Sequence, residues 1–277
     1  MDSYLKHYIN GKWVDSIGGK RHEVISPSTE EPCTEITLGT QADVDAAVSA
    51  ARQAFKTFSQ TSREERIALM NRIIEEYKKR IPDFAKSMAA EMGAPVSFAT
   101  MAQAPAGLGG FLGTLPALEN FAFKEQHGAN TVVYEPIGVV GLITPWNWPL
   151  NQIALKVAPC IAAGNTMVLK PSEECPGNAA IFAEILDAAG VPAGVFNLVQ
   201  GDGMTVGEAI SSHPYIDMVS FTGSTRAGIM VAKSAADTVK RVHQELGGKS
   251  PNLVLPGADL QAVLPATVSG VWVNSGQ

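Results

Sequence analysis

The pattern of hydrophobic and polar positions changes near residue 138. In the first 40 residues it alternates over short stretches, and Asn10-Gly11 between two half-apolar arms predicts a β-hairpin. Apolar residues then recur at helical spacing, and Ser62 with Glu65 matches the capping box that starts a helix. The pattern predicts helices over 42–58, after Ser62 and over 97–121, and a strand over 131–134.

From residue 138 onward, short apolar runs alternate with stretches of helical periodicity. The runs are 139–143, 166–169, 195–199, 218–221 and Val242, and the intervening helices are 151–163, 177–189, 204–211 and 224–236. This β-α alternation predicts an α/β fold: a Rossmann-like parallel sheet with flanking helices, preceded by an N-terminal helical region. Ligands of such sheets bind at the carboxyl ends of the strands, so the residues that follow each run are the candidates for function.

Composition narrows the class of protein. The 277 residues are 45% hydrophobic and 17% charged, with a formal net charge of −6, which gives no reason to expect a nucleic-acid partner. The most apolar run, 137–150, is broken by a proline and is too short to cross a bilayer, so no membrane partner is expected. Cys33, Cys160 and Cys175 form no C-x-x-C pair, so no metal site is predicted, and scattered thiols favour a reducing, cytoplasmic location.

Two strand-end motifs fit a dinucleotide. In Phe221–Gly228 an apolar strand leads into a helix, where Gly223 permits a tight turn and Ser224 is a good N-cap beside a site for pyrophosphate. The alternative is an ordinary strand-turn-helix connection, and a plain turn is the alternative for the similar Gly201–Gly203. In Lys170-Pro-Ser-Glu173 the acidic residue can accept hydrogen bonds from ribose hydroxyls, and the alternative is a solvated polar loop.

Two further motifs fit catalysis. Thr144–Pro149 is a rigid loop rich in proline and tryptophan, in which the Asn147 amide can donate to a developing oxyanion. The alternative is a packed loop residue that bonds to the local backbone. Glu245 precedes a glycine pair, and a carboxylate partly shielded from water has a raised pKa and can act as a base. The alternative is a surface glutamate paired with Lys249.

Together and in this order, these motifs resemble the aldehyde dehydrogenase superfamily over essentially the whole chain. The resemblance implies that Asn147 stabilises the oxyanion, that Glu245 activates the deacylating water, and that NAD is the cofactor. It implies the domains 1–250, which binds NAD and carries an oligomerisation hairpin near 121–137, and 251–277, the start of a catalytic domain. The cofactor contacts implied are Ile143, Thr144, Pro145, Trp146, Lys170, Ser172, Glu173, Gly203, Gly207, Phe221, Thr222, Gly223, Ser224, Leu246 and Gly247.

The sequence departs from the family at the nucleophile. In the family, the motif that matches Asn274-Ser-Gly-Gln277 leads two positions later to the cysteine that attacks the aldehyde, and here the sequence stops first. We therefore expect aldehyde oxidation by the intact homo-oligomeric enzyme and no activity from these 277 residues alone. A non-catalytic NAD-binding or interaction module is the alternative. The apolar residues of 251–277 are expected to be mobile or to form a contact between chains.

Overall fold

A computed structural model describes residues 1–276 of the chain. The strands are β1 (Asp2–Tyr4), β2 (Lys6–Ile9), β3 (Lys12–Asp15), β4 (Lys20–Ile25), β5 (Pro32–Leu38), β6 (Lys124–His127), β7 (Asn130–Val133), β8 (Val139–Ile143), β9 (Thr166–Lys170), β10 (Phe196–Leu198), β11 (Met218–Gly223) and β12 (Arg241–Leu246). The helices are α1 (Gln41–Phe58), α2 (Arg63–Lys79), α3 (Ile81–Met92), α4 (Val96–Phe98), α5 (Ala104–Asn120), α6 (Pro149–Ala162), α7 (Gly177–Ala188), α8 (Glu208–Ser212), α9 (Thr225–Ala236) and α10 (Leu260–Trp272).

Three single turns complete the secondary structure. Two are π-helical, Ala99–Gln103 before α5 and Gly203–Gly207 before α8. The third is the 3₁₀ turn Val273–Gly276. No helix among residues 1–276 combines the length and apolar character that crossing a membrane requires.

The main sheet has the strand order β12-β11-β8-β9-β10-β2-β3. The first five strands of that order are mutually parallel, which confirms the predicted α/β class. Read in chain order from β8, they follow the 3-2-1-4-5 arrangement of doubly wound sheets. After β8 the chain adds β9 and β10 on one side of that strand. It then returns and adds β11 and β12 on the other side. The edge between β8 and β11 is therefore the switch point at which such folds bind ligands.

The hairpin of β2 and β3 extends this sheet in the antiparallel direction. Asn10 and Gly11 adopt φ angles of 53° and 73°, so the predicted Asn-Gly turn is confirmed. The sequence pattern did not predict that this hairpin joins the main sheet, where Tyr8 is the register partner of Leu198. Two smaller sheets, β1-β5-β4 and the hairpin β6-β7, stand apart from it.

The core lies on both faces of the main sheet because alternate side chains of a strand point to opposite faces. Along β8, Val139 and Ile143 pack with α1, α8 and α9, whereas Val140 and Leu142 pack with α2, α3, α5, α6 and α7. The capping box of α2 is confirmed, since Glu65 N bonds to Ser62 Oγ and the Ser62 amide donates back to Glu65.

Candidate functional site

A cleft of about 910 Å³ opens at the carboxyl ends of β8, β11 and β12 and continues along α6. It therefore lies at the switch point of the sheet. Nine of the residues predicted from the sequence line it: Pro145, Trp146, Asn147, Thr222, Gly223, Ser224, Glu245, Leu246 and Gly247.

Asn147 lies in the loop that follows β8. Its backbone carbonyl accepts hydrogen bonds from Asn274 Nδ2 at 2.9 Å and from Gln103 Nε2 at 3.4 Å, so the loop is held from two sides. The side-chain Oδ1 is buried and has no hydrogen-bond partner among the described residues. A buried acceptor without a donor is costly, so a bound group that supplies a donor would be favoured there.

Glu245 is the penultimate residue of β12, and its register partner is Thr222 of β11. The expectation that this carboxylate is shielded from water is wrong, because its side chain is 68% exposed. The physical reason is that, among residues 1–276, β12 is an edge strand with no neighbour on its outer side. His243 lies nearby, with Nε2 at 3.8 Å from Glu245 Oε1. Asn147 and Glu245 line the same cleft, and their catalytic roles stay predictions.

Lys170 and Glu173 form a second group at the end of β9, outside the lining of the cleft. Lys170 is only 2% exposed, and its Nζ donates to Pro171 O at 2.6 Å and to Glu173 Oε2 at 2.9 Å. Burial lowers the pKa of the Lys170 ammonium, while Glu173 opposes that shift. The alternative of a solvated polar loop is therefore wrong for Lys170. Gly207 faces the same lysine, since a Cβ added there would lie 3.8 Å from Lys170 Cδ.

The first turn of α9 borders the cleft. Ser224 Oγ accepts a hydrogen bond from the Ala227 amide at 3.2 Å, which confirms Ser224 as the N-cap. A Cβ on Gly228 would come within 2.5 Å of Leu246 Cδ2, so α9 packs closely on the end of β12 and a larger residue would require the Leu246 side chain to move. The positive end of the α9 dipole therefore lies beside Gly223 and Ser224, where an anionic group would be stabilised.

Two threonine hydroxyls test whether this region fits a dinucleotide. Thr144 Oγ1, after β8, and Thr222 Oγ1, in β11, are buried and have no hydrogen-bond partner among residues 1–276. Both belong to the strand ends that flank the switch point. Polar atoms left without partners beside a helix N-terminus fit a ligand rich in hydroxyl and phosphate oxygens.

Other predicted contacts lie elsewhere. The side chains of Ile143 and Phe221 are buried in the core on the α1 side of the sheet and do not line the cleft. Ser172 Oγ accepts a hydrogen bond from the Glu174 amide at 3.3 Å. Gly203 begins the π-helical turn after β10, and an added Cβ there would meet no atom within 4 Å.

The structure brings further polar residues to the site that the sequence pattern did not predict. Lys156 of α6, Ser220 of β11 and His243 of β12 line the cleft. Gln103 is only 1% exposed and its Nε2 donates to Asn274 Oδ1. Lys156 lies in an otherwise apolar stretch of α6, which is a signal that could have found it.

The three cysteines are in environments that suppress thiolate formation. Cys160 lines the cleft, and burial raises its pKa to about 12. Burial also raises the pKa of Cys175 well above its ordinary value, and that of Cys33 to a smaller extent. Because the thiolate is the nucleophile, burial makes each of the three thiols a poorer nucleophile than an exposed cysteine.

Comparison with known proteins agrees with this geometry. Residues 13–277 match the aldehyde dehydrogenase family. A 3-succinoylsemialdehyde-pyridine dehydrogenase of a Pseudomonas species is 52% identical over the whole chain, which spans 58% of the length of that relative.

Two solved structures have the same fold. An aldehyde dehydrogenase from Bartonella henselae superposes with a TM-score of 0.97 at 49% identity, and the alignment covers 100% of this chain and 59% of the other. A mutant aldehyde dehydrogenase C of Pseudomonas syringae, solved with NAD⁺ and octanal, gives a TM-score of 0.97 at 48% identity over 99% of this chain and 56% of its own. This chain belongs to the aldehyde dehydrogenase family.

Proposed function

We propose that these residues form the NAD-binding portion of an NAD-dependent aldehyde dehydrogenase, which oxidises an aldehyde to a carboxylic acid through a cysteine thiohemiacetal. The observation that carries this proposal is the convergence of Asn147, Glu245 and the N-terminal end of α9 on one cleft at the switch point. The family match and the NAD⁺ in the Pseudomonas syringae structure support the same assignment.

The cofactor would lie across the carboxyl ends of the strands. The first turn of α9 would hold the pyrophosphate, because its amide groups and dipole favour an anion. The buried Lys170 and its partner Glu173 would bind the adenosine ribose, one as hydrogen-bond donor and the other as acceptor. Leu246 and Gly247 would border the nicotinamide, which accepts a hydride from the substrate carbon when NAD⁺ is bound.

Asn147 and Glu245 would serve the substrate carbon. The Asn147 amide would donate to the oxygen that becomes negative, and its loop is already fixed by Asn274 and Gln103. Glu245 would take a proton from the water that attacks the acyl group. Its exposed position gives that water direct access.

The three cysteines of the sequence lie in other motifs than the one that carries the family nucleophile. We therefore propose that a polypeptide of these 277 residues does not oxidise aldehydes by itself. The competing function is a non-catalytic NAD-binding module. Absorbance of NADH with purified chain, NAD⁺ and propanal decides the point, since clear turnover would overturn both statements.

Further proposals concern organisation. The hairpin β6-β7 stands apart from the main sheet and presents exposed Val133 and Tyr134, which supports a role in association between copies of the intact enzyme. We assign residues 1–250 to the NAD-binding domain and 251–277 to the start of the catalytic domain. Free, unpaired thiols support a cytoplasmic location.

NAD⁺ binding by calorimetry tests the cofactor assignment. A Cβ added at Gly247 or at Gly109 would meet no atom within 4 Å, so a leucine at either position has room in the folded chain. Gly247→Leu would project into the cleft and should lower NAD⁺ affinity at least tenfold. Gly109→Leu, on α5, serves as the control and should bind as the wild type does. Equal binding by both variants would refute the assignment.

A further inference from the structure

A row of polar side chains crosses the inner wall of the cleft. Lys156 Nζ donates to Ser220 Oγ at 2.9 Å, Ser220 Oγ lies 3.5 Å from His243 Nδ1, and His243 Nε2 lies 3.8 Å from Glu245 Oε1. The row is built by the sheet register, because Ser220 and His243 are opposite each other and His243 and Glu245 share one face of β12. It joins α6 to the edge strand.

Lys156 is the unusual member of this row. It is 7% exposed, yet it lines the cleft on the same side of α6 as Gln152 and Cys160. Burial lowers the pKa of its ammonium to about 8, and the charge of Glu245 opposes that shift. At pH 8 about half of such an amine is neutral, compared with about one part in 300 for an ordinary lysine. A neutral amine beside acid and base groups is a nucleophile toward carbonyl carbon.

We propose that Lys156 is a carbonyl-binding amine, which forms a reversible imine with aldehydes that enter the cleft. The Nζ lone pair forms the new C–N bond as the carbonyl π bond breaks, and one of the two N–H protons passes to the carbonyl oxygen, which becomes a hydroxyl. The hydroxyl then leaves as water with a proton supplied by His243 or Glu245, and the last N–H proton returns to that group as the neutral C=N bond forms. No oxidant or reductant takes part, and hydrolysis reverses every step.

Imine formation at Lys156 and the proposed aldehyde oxidation have different chemical requirements. Imine formation rests on the proposed function only in that aldehydes must reach the cleft, and it requires neither NAD⁺ nor a cysteine. The titratable and charged groups around the amine are Glu245 and His243 on β12, Cys160 on α6 and Lys249 after β12. All four line the cleft, and His243 and Glu245 are linked to the amine through Ser220, so a carbonyl compound bound at the amine would also be near these two groups.

Trapping by reduction tests the proposal on the 277-residue chain itself. The chain is incubated near neutral pH with limiting propanal and sodium cyanoborohydride, without NAD⁺, and peptide mass spectrometry measures alkylation at each lysine. Lys156 should be alkylated at least tenfold faster than exposed lysines such as Lys12 and Lys79. Alkylation of Lys156 at or below the rate of those lysines would overturn the proposal.

Two variants separate imine chemistry from simple exposure. His243→Gln keeps the lysine and should slow its alkylation several-fold while leaving Lys79 unchanged. Gln126→Ala, on the distant hairpin β6-β7, should leave both rates as in the wild type. An unchanged Lys156 rate in His243→Gln would refute the role of the polar row. Because NAD⁺ is absent from the assay, a chain that fails to bind NAD⁺ can still trap propanal, and the two proposals fail separately.

Discussion

Asn274 Nδ2 donates a hydrogen bond to the backbone carbonyl of Asn147 across 2.9 Å, which joins two segments 127 residues apart. Gln103 closes the group, since its buried side chain donates both to Asn274 Oδ1 and to the same carbonyl. The loop that carries the proposed oxyanion donor is thus fixed by the segment that begins the Asn-Ser-Gly-Gln motif. Gln277 of that motif lies outside the described residues.

The first prediction follows from this contact. Asn274→Ala leaves a part-buried carbonyl short of a donor, and we expect the free energy of unfolding to fall by about 1–2 kcal/mol. Amide hydrogen exchange should quicken in residues 146–148. Asn252→Ala is the matched control, because Asn252 makes one exposed bond to Thr267 Oγ1 and its loss should cost less than about 0.5 kcal/mol. Equal effects of the two variants would contradict the proposed anchoring.

A second prediction concerns Glu91, a buried carboxyl on α3 that accepts bonds from the Gly177 amide at 3.0 and 3.2 Å. Burial raises the pKa of Glu91 from 4.5 to about 7, with hydrogen bonds from Thr34 and Gly177 among the opposing effects. The folded state therefore binds this proton more tightly than the unfolded state does. The resulting stability is complete below pH 4.5 and is lost as the pH rises to about 7.

The test is Glu91→Gln, followed by urea unfolding across this pH range. The difference in unfolding free energy between wild type and variant should change by up to about 3 kcal/mol between the two pKa values. The exposed Glu75→Gln is the control and should show a flat difference. A flat difference for Glu91→Gln as well would show that Glu91 does not hold its proton in the folded chain.

Cofactor choice gives a third prediction. Glu173 should face the adenosine ribose, where its charge would repel the 2′-phosphate of NADP⁺. We expect NAD⁺ to bind more tightly than NADP⁺, and Glu173→Gln to reduce that preference about tenfold, or ~1.4 kcal/mol. Glu174→Gln, at the exposed neighbouring position, should keep the preference. Equal affinity of the wild type for both cofactors, measured by calorimetry, would refute this prediction.

The exposed apolar side chains of α10 give a fourth prediction. Leu260, Leu264 and Val268 recur on one side of α10, and each is more than half exposed, as is Trp272. Contiguous apolar surface of this kind favours association. Sedimentation velocity should show self-association of the 277-residue chain that weakens in Leu264→Lys. Ile17→Lys, which changes an equally exposed residue far from α10 in the sequence, is the control and should leave self-association unchanged. A strictly monomeric wild type would contradict the prediction.

Local pattern predicted much of the fold. The apolar runs and the helical periodicity gave every strand of the parallel sheet, because buried strands and amphipathic helices impose different spacings on the sequence. The antiparallel addition of β2 could not be predicted, since the pairing of Tyr8 with Leu198 depends on long-range packing. The same limit applies to the contact between Gln103 and Asn274.

The residues of the candidate site could be predicted only in part from the sequence, for related reasons. Strand-end motifs predicted Asn147 and Glu245 as candidates, because ligands of such folds bind where strands end, and both residues line the cleft. The exposure of Glu245 was mispredicted, since a sequence does not tell which strand lies at the edge of a sheet. Ser220 and His243 were not predicted, because their pairing depends on the register of the sheet. Lys156 could have been predicted from the sequence, because it lies in an otherwise apolar stretch of α6.

The most direct test is a crystal structure of the chain with NAD⁺, in which the position of the nicotinamide ring is measured. We expect the ring to lie in the cleft beside Leu246 and Gly247, with the Asn147 amide and the Glu245 carboxylate directed toward its reactive face. The pyrophosphate should lie at the first turn of α9. NAD⁺ bound elsewhere, or a ring with Asn147 and Glu245 on opposite sides of the sheet, would contradict the proposed function.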